Sequence, residues 1–371
     1  MAHSDFSPIF PEEGGRVRSA RFQIGAKMNS NDSNFNDPLT DPGRAARVLN
    51  DVATEAGWQV RDVRSVDVVG ERPDKRRTLR FRVTAQRAGG TPTESYWYAT
   101  QYRGGEGERM LPSLRFLRSA AAPEIRVPHL VGYSREMRLL VTTAIDGRPL
   151  ASVLEDPIES RVAASLKRLG RSLASFHAIR TPGPSARSAD RPSFGRWDAA
   201  AEMESLDDVE RKLLDSGLEP GIADRLTEGV AALRSDLAHD AGVARAASVV
   251  HTRLHPGHIF FGSDGIGLVD LDDASFGEPE HDLGVLIAHM ILSDLKRGVS
   301  VRLAPARADA LRGGYLGGGV LRPNRLAAYT SSALLRLATT ERAKNGGVGA
   351  PDWSRLTSVL VDEALPEGVR V

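Results

Sequence analysis

Val250-His251-Thr252-Arg253-Leu254-His255-Pro256-Gly257-His258-Ile259-Phe260-Phe261, followed by Leu268-Val269-Asp270-Leu271-Asp272-Asp273, is the stretch whose reading decides the fold. Two apolar runs flank Ser263-Asp264-Gly265, a turn signal, so a β-hairpin is predicted near 258–271. Histidines and aspartates crowd both of its ends. His251, His255, His258 and Asp270 are candidate ligands for a softer transition metal, because neutral imidazole suits zinc, manganese or nickel. Arg253 stands among them as the opposite kind of group. A guanidinium keeps its proton and offers no acceptor, so it can hold an anion but cannot take up a proton. An internal ion pair of Arg253 with Asp270 or Asp272 is the structural expectation.

Outward from this stretch, strand and helix signals separate. Thr40-Asp41-Pro42 is a helix start, with Asp41 as N-cap and Pro42 in the first turn. The helix should run to about Glu55 and bury Ala46, Val48, Leu49, Val52 and Ala53. Strands are expected around Val66 to Val69, around Leu79, Phe81 and Val83, over Ser95 to Tyr102, and over Arg138 to Ala144. A helix after Gly104-Gly105 should bury Met110, Leu114 and Leu117. Beyond residue 150 the apolar spacing is close to 3.6, with helices expected over 162–178, 223–237, 283–295, 323–345 and 352–364. Strands in the first third and helices afterwards predict an α+β chain. Its parts would be a mobile tail over 1–40, a β-rich lobe over 41–146 and a helical lobe over 147–371 that carries segment 250–284.

Composition narrows the function classes. The 371 residues have a net charge of +1 and are 41% hydrophobic, 26% charged and 6% aromatic. No global field favours nucleic acid or a membrane surface, and few aromatics are present to stack on bases. Without cysteine there is no disulfide, thiolate nucleophile or zinc-thiolate site. No run reaches the length of a membrane span or a signal-peptide core, so a cytoplasmic protein is expected.

The stretch resembles the aminoglycoside phosphotransferase and choline kinase-like family. That signature reads His-Gly-Asp-x-His-x-x-Asn (or Gln), a short hairpin, then Ile-Asp-Phe-Asp-x-Ala-x-x-Gly-x-Pro-x-x-Asp-Leu-Ala. His251, His255, Asp270, Asp272, Ala274, Gly277, Pro279, Asp282 and Leu283 fall in register with it. Leu173 to His177 is similar to the helix before the loop, and Leu140 to Gly147 to the inter-lobe hinge, so the likeness spans roughly residues 60 to 340. It implies a protein kinase-like two-lobed fold, with ATP and Mg2+ as cofactors. A small molecule, nucleotide or peptide would lie in the cleft near Thr143 to Gly147.

Phosphoryl transfer of this kind needs a lysine on the phosphates, a helix glutamate to pair with it, a carboxylate base and two metal ligands. By the resemblance, Arg253 stands at the base and His258 at the Asn ligand, while Asp270 matches the second metal ligand, with Asp272 beside it. Tyr98 to Arg103 is similar to a strand ending Tyr-x-Lys-x-Tyr-Arg, which puts Thr100 at the lysine and Glu108 or Glu106 at its helix partner. Arg72 to Arg77 falls at a basic turn over the nucleotide, where Arg76 and Arg77 could bind an anion. Asp282 matches an aspartate that supports the loop. With lysine, base and Asn all replaced, the expectation is a catalytically impaired phosphotransferase, a pseudokinase that binds a ligand or protein partner. The resemblance also implies a setting, since such proteins occur beside peptide-modifying enzymes in bacterial natural-product pathways. The alternative is an active ATP-dependent phosphotransferase acting on a hydroxyl group, with Asp270 holding the metal.

Overall fold

The computed structural model describes residues 39–180, 191–218, 220–239, 248–298, 303–345, 359–360 and 364. Helix α1 (Pro42–Thr54) opens them, and Asp41 caps it by accepting from the Arg44 amide at 2.8 Å. Then come β1 (Trp58–Arg72), β2 (Arg76–Arg87), β3 (Thr93–Tyr102), α2 (Glu106–Ala120), β4 (Ile125–Arg126), β5 (Leu130–Ser134) and β6 (Leu139–Thr143). Five of these strands form an antiparallel sheet in the order β1-β2-β3-β6-β5.

Strand alternation gives this sheet two unlike faces. Leu79, Phe81, Val83, Trp97 and Ala99 point one way and are covered by α1. The fully buried positions of α1 are Ala45, Leu49 and Ala53, whereas Ala46, Val48 and Val52, expected inside, pack half-buried along its flanks. The other face carries Arg76, Thr78 and Arg80 on β2 opposite Tyr102, Thr100 and Tyr98 on β3. Met110 and Leu114 of α2 close one end of it, packed with Tyr102 and Leu140.

The rest is helical around one buried helix. It runs β7 (Arg148–Pro149), α3 (Leu150–Val153), α4 (Glu159–His177), β8 (Gly195–Trp197), α5 (Ala199–Leu214), α6 (Pro220–His239), β9 (Ser248–Val250), β10 (Ile259–Phe261), β11 (Ile266–Leu268), β12 (Ser275–Gly277), α7 (Pro279–Lys296), α8 (Leu303–Leu316) and α9 (Pro323–Asn345). Helix α7 is apolar nearly all round because it packs against the core on several sides. Helices α4 and α8 meet at Gly170 and Gly314. A Cβ on Gly314 would lie 2.1 Å from the Lys167 carbonyl, so only glycine admits this crossing.

The hairpin β10–β11 forms as the sequence predicts. It also pairs with β4 on one side and β7 on the other, chain segments that lie close to the two ends of the β5–β6 hairpin. This stitches the helical part to the five-stranded sheet. A third sheet has the order β8-β12-β9. Two loops, 251–258 and 269–274, therefore run side by side between these small sheets. The predicted helix over 352–364 lies outside the described residues except at 359–360 and 364, and of the predicted tail only residues 39 and 40 are described. No described helix is long and apolar enough to cross a membrane.

Candidate functional site at the loops between the lobes

The loop 251–258 hangs on Asp282. This carboxylate sits in the first turn of α7 and is fully buried. It accepts from the amides of His251 (2.6 Å) and Thr252 (2.8 Å) and from His177 Nε2 (3.0 Å). Burial alone would raise its pKa, but hydrogen bonding from His177 and the neighbouring imidazoles hold it far below the carboxylate range. With Nε2 donating to Asp282, His177 accepts from the Tyr315 hydroxyl through Nδ1 at 3.1 Å. Thr252 takes φ 65°, an uncommon left-handed conformation for a threonine, and its hydroxyl lies 2.8 Å from the Asp273 carbonyl oxygen. His251 donates from Nε2 to the Val269 carbonyl at 2.8 Å, and the Val269 amide donates to the His258 carbonyl at 3.1 Å. These contacts lock the two loops together.

Arg253 projects outward from this brace and pairs with Asp273, its Nε 3.1 Å from Oδ2. The expectation of a bridge to Asp270 or Asp272 is corrected. Both of those carboxylates face Arg76 from the other lobe, and the Thr252–Asp273 bond brings Asp273 next to Arg253 instead.

His258 Nδ1 donates to the Arg253 carbonyl at 3.1 Å, leaving Nε2 directed at Asp270 Oδ2, 3.4 Å away. Its ring stacks on His251 with 5.2 Å between centroids and lies against His255. Burial, then the charges of His255 and His251, push the His258 pKa down to about 3 against the pull of Asp270, so the ring is neutral at pH 7. His255 Nδ1 accepts from the Gly257 amide at 3.0 Å, which shapes the turn at Pro256. Among the described residues, no group of three or more His, Asp or Glu side chains converges as a metal-binding set.

Asp270 adopts φ 59°, and this left-handed turn aims its carboxylate and that of Asp272 at the sheet. There Arg76 meets both, with Nη1 on Asp272 Oδ2 and Nη2 3.3 Å from Asp270 Oδ1. Tyr102, the cross-strand partner of Arg76, donates its hydroxyl to the same Asp272 oxygen at 2.9 Å. Burial pushes Asp270 up, but His258 and Arg76 outweigh it and leave its pKa lowered. At Asp272 burial prevails, helped by Asp270, and the pKa is raised in spite of Arg76.

The positions expected to hold phosphate have other partners. Thr100 faces Thr78 across the strands, their Oγ1 atoms 3.2 Å apart, so the lysine position is half of a hydroxyl pair. Glu108 points to solvent and pairs with Arg135 at 2.8 Å, away from Thr100. The α2 residue that meets the sheet there is Gly107, where a Cβ would lie 2.7 Å from the Tyr102 ring. Arg77 follows Arg76 on β2 and so points to the opposite face, in register with Glu71. Arg103 donates to the Pro73 carbonyl at 3.2 Å, which ties it to the β1–β2 turn. Thr143 ends β6, and its hydroxyl accepts from the His129 amide at 3.1 Å.

The structure thus brings His251, Arg253, His255, His258, Asp270, Asp272, Asp282 and Arg76 to one region, sets Thr100 on the same face of the sheet as Arg76, and gives Glu108, Arg77 and Thr143 other partners. Tyr102, Asp273 and Thr252 belong to the site and were not singled out from sequence. Tyr102 stood inside the quoted Tyr-x-Lys-x-Tyr pattern, and that pattern is the signal that could have found it.

An antiparallel sheet over a helical lobe, with two braced loops between them, defines a kinase-like fold. The chain belongs to the phosphotransferase enzyme family, whose model matches residues 42–321. Among solved structures it is similar to a choline/ethanolamine kinase family protein from Mesorhizobium loti (TM-score 0.55, 14% identity, 88% of this chain and 95% of that one). It is also similar to an amicoumacin kinase in complex with AMP-PNP, Ca2+ and Ami (TM-score 0.54, 14% identity, 81% and 87%). A third is the GDP complex of an aminoglycoside 2'-phosphotransferase-IIIa mutant (TM-score 0.53, 16% identity, 81% and 91%). At such identities the likeness is one of fold. No curated protein matches the chain significantly.

The fold family implies Mg2+, and the residues present do not fit it. Mg2+ takes near-octahedral oxygen ligands. Here the two carboxylates already share a guanidinium, and the next group along is an imidazole.

Proposed function

We propose that this chain is a phosphotransferase-fold protein that has lost phosphoryl transfer and serves as a cytoplasmic binding subunit. Its ligand would be a small molecule, nucleotide or peptide held between a lobe over 41–146 and a lobe over 147–371. One observation carries the reading. The loop keeps its whole brace on Asp282, yet the residue at its base position is Arg253, which extends away to Asp273. A guanidinium cannot accept the substrate proton. The neighbouring replacements agree with this, since Thr100 brings no charge to a phosphate and the helix that should supply its glutamate presents Gly107. Loss of preorganised charges of this kind lowers rates by orders of magnitude.

The test is an ATP turnover assay with Mg2+ or Mn2+ over a panel of hydroxylated small molecules and peptides, beside calorimetric titration of ATP and adenosine. No turnover above background is expected. Metal-dependent turnover abolished by Asp270→Ala would overturn the proposal and establish an active phosphotransferase in its place.

A further inference from the structure

The carboxylates that a divalent cation would bridge are bridged by the protein itself. Arg76 starts β2 and Tyr102 ends β3, directly across from it. Both side chains leave the polar face of the sheet and converge on the other lobe, Arg76 on Asp270 and Asp272, Tyr102 on Asp272. The contact joins residues 196 positions apart in sequence. Its donors are held from behind. The Tyr102 ring rests against Gly107 of α2 so closely that no side chain fits at that position. The neighbours on the loop side are Arg253 and Asp273, already paired with each other, and the neutral ring of His258. A planar guanidinium with diverging N–H groups suits two adjacent carboxylates, and it is more weakly hydrated than a compact cation.

We propose that Arg76 is a built-in replacement for a divalent cation at Asp270 and Asp272, and that with Tyr102 it clasps the two lobes together without metal. This goes beyond the loss of transfer chemistry, because the clasp would act whether or not the chain turns over nucleotide. A tethered cation differs from a free one in what releases it. A metal ion departs with its ligand, whereas Arg76 departs only when β2 swings away from the loops. Opening of the cleft and exposure of the carboxylates are then one event, and a ligand enters by breaking the clasp.

Mn2+ alone, with no nucleotide, is the probe, so the result does not depend on turnover. Its binding is measured by titration calorimetry and by electron paramagnetic resonance. Lobe separation is read from spin labels at Thr91→Cys and Ala306→Cys, two exposed positions in a chain without cysteine. The wild type should bind no Mn2+ at millimolar concentration and give one narrow label distance. Arg76→Ala should bind Mn2+ at least about tenfold more tightly than the wild type and give a longer, broader distance. Tyr102→Phe should broaden the distance without admitting Mn2+, and it serves alone for the clasp should Arg76→Ala fail to fold. Wild type binding Mn2+ as tightly as Arg76→Ala, or within about twofold of it, overturns the proposal. So do label distances unchanged in the variants that fold.

Discussion

Asp282 and Asp270 are both carboxylates drawn below the ordinary acid range, but their partners come from opposite directions. Asp282 is satisfied entirely within the helical lobe, by two loop amides and a histidine of α4. Asp270 and its neighbour Asp272 are met from the sheet, by Arg76 and Tyr102. The first arrangement fixes the shape of the loop. The second fixes the relation between lobes. One carboxylate thus serves the architecture that holds the loop, and the other serves the contact between loop and sheet.

The largest effect should come from Asp282. Asp282→Ala leaves two buried amides and a buried imidazole N–H without acceptors, a cost of about 3–5 kcal/mol in urea unfolding. Asp282→Asn keeps one acceptor oxygen and should lose less. If Asp282→Ala unfolds within about 1 kcal/mol of the wild type, the brace is not what holds the loop. The pH dependence follows from the lowered pKa. The folded state holds fewer protons at Asp282 than the unfolded chain does, so its contribution is complete above the unfolded value of about 4 and is lost as pH falls below it.

His258 sharpens the same comparison in a different pH window. Its pKa near 3 lies below that of a free imidazole at about 6.5, so between these values the unfolded chain takes up a proton that the folded chain refuses. Stability should fall with acid from about pH 6 downward, approaching about 1.4 kcal/mol per pH unit well below the free value. His258→Gln should flatten the unfolding profile between about pH 6 and about pH 4.5 and leave the later decline from Asp282 in place. A profile unchanged by the substitution would show that His258 takes up its proton alike in the folded and unfolded chain, and a profile made steeper would show that it is protonated in the folded protein as an ion-pair partner of Asp270.

Much of this was legible in the chain, and the boundary is physical. Helix α1 was readable from Asp41-Pro42 and its apolar spacing, and the β10–β11 hairpin from its turn, because both are local signals. Strands of two or three residues such as β4, β7 and β8 have no periodicity to read. At the site, His251, Asp270 and Asp282 were legible because their spacing is set within one motif. The Arg76 contact was not, because it depends on how two lobes meet and not on any pattern in either. The same limit explains Arg253, whose charge was plain while its partner was settled by the Thr252 hydroxyl bonding the Asp273 carbonyl.

That partner makes Arg253 the mildest of the predictions and the sharpest discriminator between shape and charge. Its guanidinium is exposed, and a pair with an exposed carboxylate contributes little because solvent screens both charges. Arg253→Ala should change stability by less than about 0.5 kcal/mol. Arg253→Asp would instead set a carboxylate beside Asp273, so a loss of about 1 kcal/mol is expected, and it should ease as salt is added. If Arg253→Ala costs several times more, Arg253 is part of the brace and the loop is not merely a preserved scaffold carrying an altered charge. A small loss, set against the large one at Asp282, would place the chain's structural dependence on the brace and leave the base position free to have changed its chemistry.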